Sequence, residues 1–296
     1  MEIYRFGFDA MGGGGEVVLA SESKAKGHTI ANLVLEEVAR IEYKYSRYRP
    51  ESIVSQINAA AGVDFVEYDE ETASLFQYVD TLYDKSDGLF DMTSGVLRHA
   101  WDFSKALLPD QTTLSGQLAL VGWNRVERQG SAIRLPVAGM EIDFGGVGKE
   151  YAADRAAAVV AAQGVRHGYV NLAGDIRLVG PKPDGTPWII GIQDPRHKER
   201  MIASIPLHSG ALATSGDYER YFEVDGNRYC HILDPRTGSP VTYWRSVTVV
   251  APLAITAGSC STIAMLKGAD ALAFLDDTEM GYLAVDHSGK IYHKNT

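Results

Sequence analysis

Four short stretches carry residue types that could do chemistry. In "DFGGVGKEYAAD", Asp143 is expected to close a strand, Gly145 and Gly146 follow, and Lys149 is expected in the first turn of a helix. Glycines let a ligand approach the backbone, and free N–H groups at a helix start attract anions. Lys149 adds a point charge. The spacing is neither a Walker loop nor a dinucleotide fingerprint. A tight turn carrying a surface lysine would read the same way. In "YCHILDPRTG", His231 could act as a general base near neutral pH, or simply donate to a core carbonyl. Strand alternation would send His231 and Leu233 one way, and Cys230, Ile232 and Asp234 the other. "SDGLFDMTSGVLRHAWDF" gathers Phe90, Asp91, Thr93, His99 and Trp101, which could clasp a planar ring or merely pack. In "AGSCSTIAML", Ser259, Ser261 and Thr262 run into an apolar segment, so they either cap a helix or hold something. Thr214 and Ser215 in "ATSGDY", and Tyr48 and Asn58 in "YSRYRPESIVSQIN", are further candidates.

These residues need a scaffold. The apolar spacing of Ile30, Val34, Val38 and Ile41 predicts a helix over 29–45, and the segment "SRYRPES" breaks it at Pro50. Further helices are expected over 70–85, over 147–163 ending at Gly164, from about 257, and from 269. Residues 3–20 read as two strands around a glycine-rich turn, Gly12 to Gly15. From 165 to 250 strands dominate: "GYVNLAG", "IRLVG", "WIIGIQD", "ASIPLHSGALATSG", "RYFEV", "RYCHILD" and "SVTVVAP". Two more strands close the chain. Helices and strands mix without βαβ alternation, which predicts an α+β fold in one domain over 1–296.

The chain has 296 residues and a formal net charge of −10, with no basic run. Phosphate neutralisation carries most non-specific nucleic-acid affinity, so a nucleic-acid partner is not expected. Cys230 and Cys260 are too few for a disulfide framework and too far apart in sequence for a compact zinc motif. No apolar run approaches the ~20 residues that span a bilayer. The first residues lack a signal-peptide pattern, so the chain reads as cytoplasmic as it stands, and as periplasmic if a leader has been removed.

Taken together and in order, the blocks Met11-Gly12, Ser46 to Asn58, "DGLFDMT", "DFGGVGKEYAAD", "ATSGDY", "HILDPRTGSP" and "AGSCST" resemble the ApbE family of FAD:protein FMN transferases. The similarity runs from about Phe8 to Gly268. The resemblance implies two mixed lobes around a flavin cleft. It implies a Mg²⁺-assisted transfer of FMN from FAD to a threonine of an acceptor protein, with release of AMP. Met11, Tyr48, Leu89, Phe90, Asp91, Asp143, Lys149 and Ile232 would then contact FAD. His231 would assist deprotonation of the threonine. The Gly146 carbonyl, Ser261 and Thr262 would hold Mg²⁺.

Three positions depart from the family pattern. Gly258 stands where the family has its metal-binding Asp, Glu150 where it usually has Gly, and Gly13 where it has Thr. Neutral oxygens alone would hold Mg²⁺ weakly. The resemblance therefore implies flavin binding, while Gly258 weakens the metal site on which transfer would depend. The alternative is a diverged FAD-binding carrier or sensor, or an FAD pyrophosphatase. On this reading Gly258→Asp should raise Mg²⁺ affinity.

Overall fold

The computed structural model describes residues 1–103 and 105–295. The chain opens with a hairpin, β1 (Glu2–Ala10) and β2 (Gly13–Ser21). Its turn is Met11-Gly12, with φ of 52° and 78°, where Ala10 pairs with Gly13. Two positive φ values in a two-residue loop match the right-handed twist of a hairpin. The turn is thus shorter than the expected run of glycines, and Gly13 to Gly15 belong to β2. A side chain at Gly13 would meet the Ala173 Cβ at 2.8 Å, which accounts for glycine there.

Helix α1 (Lys24–Tyr45) starts five residues before its expected boundary, because Ser23 caps it by accepting from the Lys26 N–H at 3.2 Å. A short α2 (Ile53–Ala59) and β3 (Val66–Glu67) come next, then α3 (Glu70–Lys85), which lies over the predicted range. The "DMTSGVLRH" stretch forms a 3-10 segment, Met92–His99. After it come α4 (Gln111–Leu118), β4 (Glu127–Gln129), β5 (Ala132–Arg134) and α5 (Gly148–Ala162). Neither α2 nor α4 was expected from the sequence; both are about two turns long, too short to display a clear apolar period.

The strand-rich half supplies β6 (Gly168–Leu172), β7 (Asp175–Gly180), β8 (Trp188–Gln193), β9 (Met201–Leu207), β10 (Ala211–Gly216), β11 (Tyr221–Val224), β12 (Asn227–Cys230) and β13 (Trp244–Ala251). Helices α6 (Ala254–Lys267) and α7 (Ala271–Asp276) then lead to β14 (Gly281–Asp286) and β15 (Ile291–Lys294). The stretch expected as one strand over 203–216 is two, β9 and β10, folded at Gly210 with φ 84°. Strand β12 stops at Cys230, so His231 stands just past its end and the expected alternation does not carry through it.

Among the described residues, eight strands make one antiparallel sheet in the order β1-β2-β6-β7-β10-β13-β14-β15. Alternate residues serve its two faces. Val17, Leu19, Val170 and Leu172 face a core shared with α1 and α5, and Ala213, Val247 and Val249 face α6. Val18, Tyr169, Leu178 and Leu283 pack on the opposite side against Trp188, Ile190 and Leu207 of the β8–β9 hairpin. Helices on one face and a hairpin on the other give an α+β architecture. No helix among the described residues is long and apolar enough to cross a membrane.

Candidate functional site

The N-terminus of α5 is the centre of the site, and several elements aim at it. Asn58 of α2 holds the backbone just before it: the Asn58 side chain donates to the Ile142 carbonyl at 3.0 Å and accepts from the Ile142 N–H at 2.8 Å. The Asp143 N–H donates to the Met92 carbonyl at 3.0 Å. The 3-10 segment presses so closely that a Cβ at Gly95 would lie 2.5 Å from the Asp143 Cβ. Asp143 itself accepts from the Gly145 N–H at 3.0 Å and forms an ion pair with Arg47. Above the turn, the Phe90 ring would sit 3.0 Å from a Cβ at Gly146, so glycine there leaves room for the ring.

The loop that carries Phe90 is fixed from beneath. Asp91, 8% exposed, accepts from the Thr93 N–H at 2.7 Å and hydroxyl at 2.5 Å, and from the Trp123 N–H at 2.9 Å. Burial raises its pKa, against these bonds. Its carboxylate thus points into the protein and shapes the loop. Leu89 and Phe90 are buried beside it.

A polar wall stands opposite. Arg47 donates to the Tyr48 hydroxyl at 2.8 Å. Tyr48 is 73% exposed. Partial burial would raise its pKa, but Arg47 and then Arg220 outweigh that and pull it down. Arg220 links this wall to His231, whose N–H and Nδ1 lie 3.0 and 3.3 Å from the Arg220 carbonyl. A carbonyl only accepts, so Nδ1 carries the proton and Nε2 keeps its lone pair. The ring is open to solvent yet surrounded by protein. That desolvation, and then the Arg220 charge, push its pKa below the ordinary histidine value. His231 is thus neutral at pH 7, with a free basic nitrogen. Ile232 beside it is half-buried against the α6 side of the core.

Lys149, by contrast, is paired with Asp175 of β7, which is 2% exposed. Met11 sits at the β1–β2 turn, partly packed on the core.

Helix α6 carries the hydroxyls, and it starts earlier than the expected boundary near 257. It begins at Ala254, with no polar side chain of its own as cap. The cap comes from Asp154 of α5, which accepts from the Ala254 and Ile255 N–H groups at 2.9 and 3.0 Å. Ser259 therefore caps nothing: it lies in the second turn, donates back to the Ile255 carbonyl at 2.6 Å, and is fully buried. Ser261 donates to the Gly258 carbonyl at 2.9 Å. Ser215 of β10 lies 2.8 Å from the Ser261 hydroxyl and 3.0 Å from that of Thr262. Against Gly258 lies Glu150: a Cβ there would stand 2.5 Å from the Glu150 Cγ and 2.9 Å from its Oε1. The space left by the missing side chain is thus filled by a carboxylate from α5.

No three His, Cys, Asp or Glu side chains converge as a metal cluster among the described residues. Besides the Asp154 cap, what α5, α6 and β10 offer where they meet is the Glu150 carboxylate, the hydroxyls of Ser215, Ser261 and Thr262, and backbone carbonyls. Such hard oxygens suit Mg²⁺ rather than a softer metal. Cys230 and Cys260 are both free and buried, and burial pushes each thiol up to about 11.

Sequence reasoning singles out Tyr48, Asp143 and His231, which the structure joins into one wall. It passes over Arg47, Arg220 and Asp154. Arg47 is findable, since it sits beside Tyr48. Arg220 and Asp154 act only through long-range contacts.

The family model for the ApbE family matches residues 11–285. An FAD:protein FMN transferase of Vibrio cholerae is 32% identical over 242 residues, 79% of this chain and 71% of that protein. One of Haemophilus influenzae is 29% identical over 92% of this chain and 80% of that protein. The crystal structure of the ApbE protein of Thermotoga maritima superposes with a TM-score of 0.92 at 36% identity, covering 99% of this chain and 97% of that one. A mutant of the Vibrio cholerae flavin transferase ApbE superposes at 0.88 with 26% identity, covering 100% of this chain and 98% of that one. The ordered motifs, the sheet and the α5 turn have one origin: the chain belongs to the ApbE family.

Proposed function

We propose that this chain is an FAD:protein FMN transferase that moves FMN from FAD to a threonine of an acceptor protein and releases AMP. The observation that carries this is His231, neutral and with Nε2 free, on the same wall as Arg220, Tyr48, Arg47 and Asp143. In the reaction the threonine oxygen attacks the FMN phosphorus. The threonine proton passes to His231 Nε2. The bond from that phosphorus to the bridging pyrophosphate oxygen breaks, and its electron pair leaves with AMP. Positioning and charge carry most of such a transfer.

FAD would lie over the α5 turn, with Met11, Tyr48 and Ile232 offering apolar and aromatic surface, the buried Leu89 and Phe90 backing the loop beside it, and Asp143 and Lys149 along its length. Arg47 and Arg220 bring positive charge to the wall that would face its pyrophosphate. A bound Mg²⁺ would neutralise that pyrophosphate. Thr262, Ser261 and the Gly146 carbonyl are the groups proposed to hold it.

The rival reading, a flavin-binding protein without transfer, rests on the missing carboxylate at Gly258. Glu150 in that same space removes much of its ground. The test is to incubate the protein with FAD, Mg²⁺ and a threonine-bearing acceptor. AMP and a fluorescent, covalently flavinylated acceptor are expected in equal amounts. AMP and free FMN without labelled acceptor would make the protein a pyrophosphatase. Bound but intact FAD would make it a carrier.

A further inference from the structure

Glu150 occupies a position that a carboxylate should not occupy alone. It is 7% exposed, and among the described residues its buried Oε2 has no hydrogen-bond partner. A buried ionised oxygen is disfavoured unless a cation or donors compensate it. Of the cations nearby in sequence, Lys149 is paired with Asp175 and reaches Glu150 only through the attraction of its charge, without a hydrogen bond, and Arg155 is paired with Glu37. Arg177, which reaches α5 from β7, is held by Asp154.

The surroundings supply oxygens instead. The Glu150 carboxylate lies in the space above Gly258. Thr262 lies four residues later on the same face of α6, and its hydroxyl is tied through Ser215 to that of Ser261. A carboxylate with an unmet oxygen thus adjoins a face of α6 carrying hydroxyls and no basic side chain before Lys267.

We propose that Glu150 is the carboxylate ligand of a divalent-cation site completed by Thr262 and its neighbouring hydroxyls. The inference rests on the transferase reading for what the cation serves. It also joins two departures that look independent in the sequence. Glu at 150 and Gly at 258 form one exchange, in which the carboxylate enters from α5 rather than α6 and occupies the same space. The outcome expected of Gly258→Asp from the sequence alone is thereby reversed. That substitution places a second carboxylate within collision distance of the first, so it should weaken the site rather than repair it.

The test uses Mn²⁺ as a paramagnetic probe, titrated into the full chain with FAD present. Free Mn²⁺ is read by electron paramagnetic resonance. FAD binding in EDTA is measured separately by flavin fluorescence. Wild type should bind one Mn²⁺. Glu150→Gln should bind it at least tenfold more weakly while binding FAD in EDTA as wild type does. Its melting temperature in EDTA should stay close to that of wild type, and added Mn²⁺ should no longer raise it. Gly258→Asp alone should lose Mn²⁺ affinity, and Glu150→Gly combined with Gly258→Asp should regain it to within a few fold.

Undiminished Mn²⁺ binding by Glu150→Gln, or a gain from Gly258→Asp alone, overturns the inference and leaves the transferase reading standing. Flavinylation by a wild type that binds no Mn²⁺ and is indifferent to EDTA overturns the inference and the metal requirement together. Absence of flavinylation by a wild type that binds Mn²⁺ through Glu150 overturns the function alone.

Discussion

Helix α6 is started by a residue of α5, and removing that residue should be felt throughout the junction. Asp154 accepts from the first two N–H groups of α6 and pairs with Arg177 at 3.0 Å. Asp154→Ala removes all three contacts. Loss of a helix cap costs about 1–2 kcal/mol. Breaking a buried ion pair costs about 3–5 kcal/mol, but the Arg177 side chain is 23% exposed and keeps its bonds to the Leu178 and Gly210 carbonyls, which recovers much of that. The expected total is about 2–4 kcal/mol. For a chain of this size that is a fall in melting temperature on the order of 5–10 °C.

Asp154→Asn keeps one accepting oxygen and should lose only about 1–2 kcal/mol. The pH dependence has a definite sign. Burial, against the two N–H bonds and Arg177, raises the Asp154 pKa in the folded state. Its contribution is then largest at low pH and is lost as pH rises through the folded pKa. The gap between wild type and Asp154→Asn should therefore widen as pH falls from 7 towards the carboxylate range. Urea unfolding of the three proteins at pH 7 and pH 5 measures both effects. If Asp154→Ala lies within about 0.5 kcal/mol of wild type, the level of a neutral surface change, the cross-helix cap is not what starts α6.

Other outcomes rest on single contacts. His231→Gln should slow FMN transfer by about 10²–10⁴-fold with FAD affinity retained. Since its pKa lies below the ordinary value of about 6.5, the wild-type rate should fall only below that pH and be flat through neutrality. Equal loss of FAD affinity, or an acid limb above pH 7, would remove His231 as the base. Gly95→Ala drives a methyl into Asp143 and should cost about 1–3 kcal/mol, weakening FAD binding as Asp143 shifts; calorimetry and flavin titration read the two together. Cys230 and Cys260, with thiols pushed to about 11, should resist iodoacetamide at pH 8 in the native protein and both react in urea.

What the sequence disclosed tracks the range of the forces involved. Helix α3 was legible to the residue because Asp69 caps it locally, accepting from the Thr72 N–H at 3.0 Å, and its apolar stripe is continuous. The second hairpin strand was legible in its apolar run, but its glycines read as the turn. Their role is close approach: a Cβ at Gly15 would meet the Phe8 ring at 2.7 Å. Tyr48, Asp143 and His231 stand out because they lie in dense motifs. That they meet at all depends on Arg47 and Arg220, whose partners are set by tertiary packing.

The α5–α6 junction shows why the rest stayed hidden. Leu253, Ala254 and Ile255 carry no local start signal, so the polar run after Ala257 reads as the beginning of the helix. The true signal is Asp154, a hundred residues earlier. One turn before Asp154 on the same helix, Glu150 fills the space over Gly258. Residues 150 and 154 are four apart and so share a face of α5. That face does two things to α6: Asp154 fixes where it begins, and Glu150 replaces the side chain that Gly258 lacks. Position by position, Gly258 reads as a loss. Between packed helices the unit that holds a ligand is the shared surface, and a carboxylate can be supplied to it from either side.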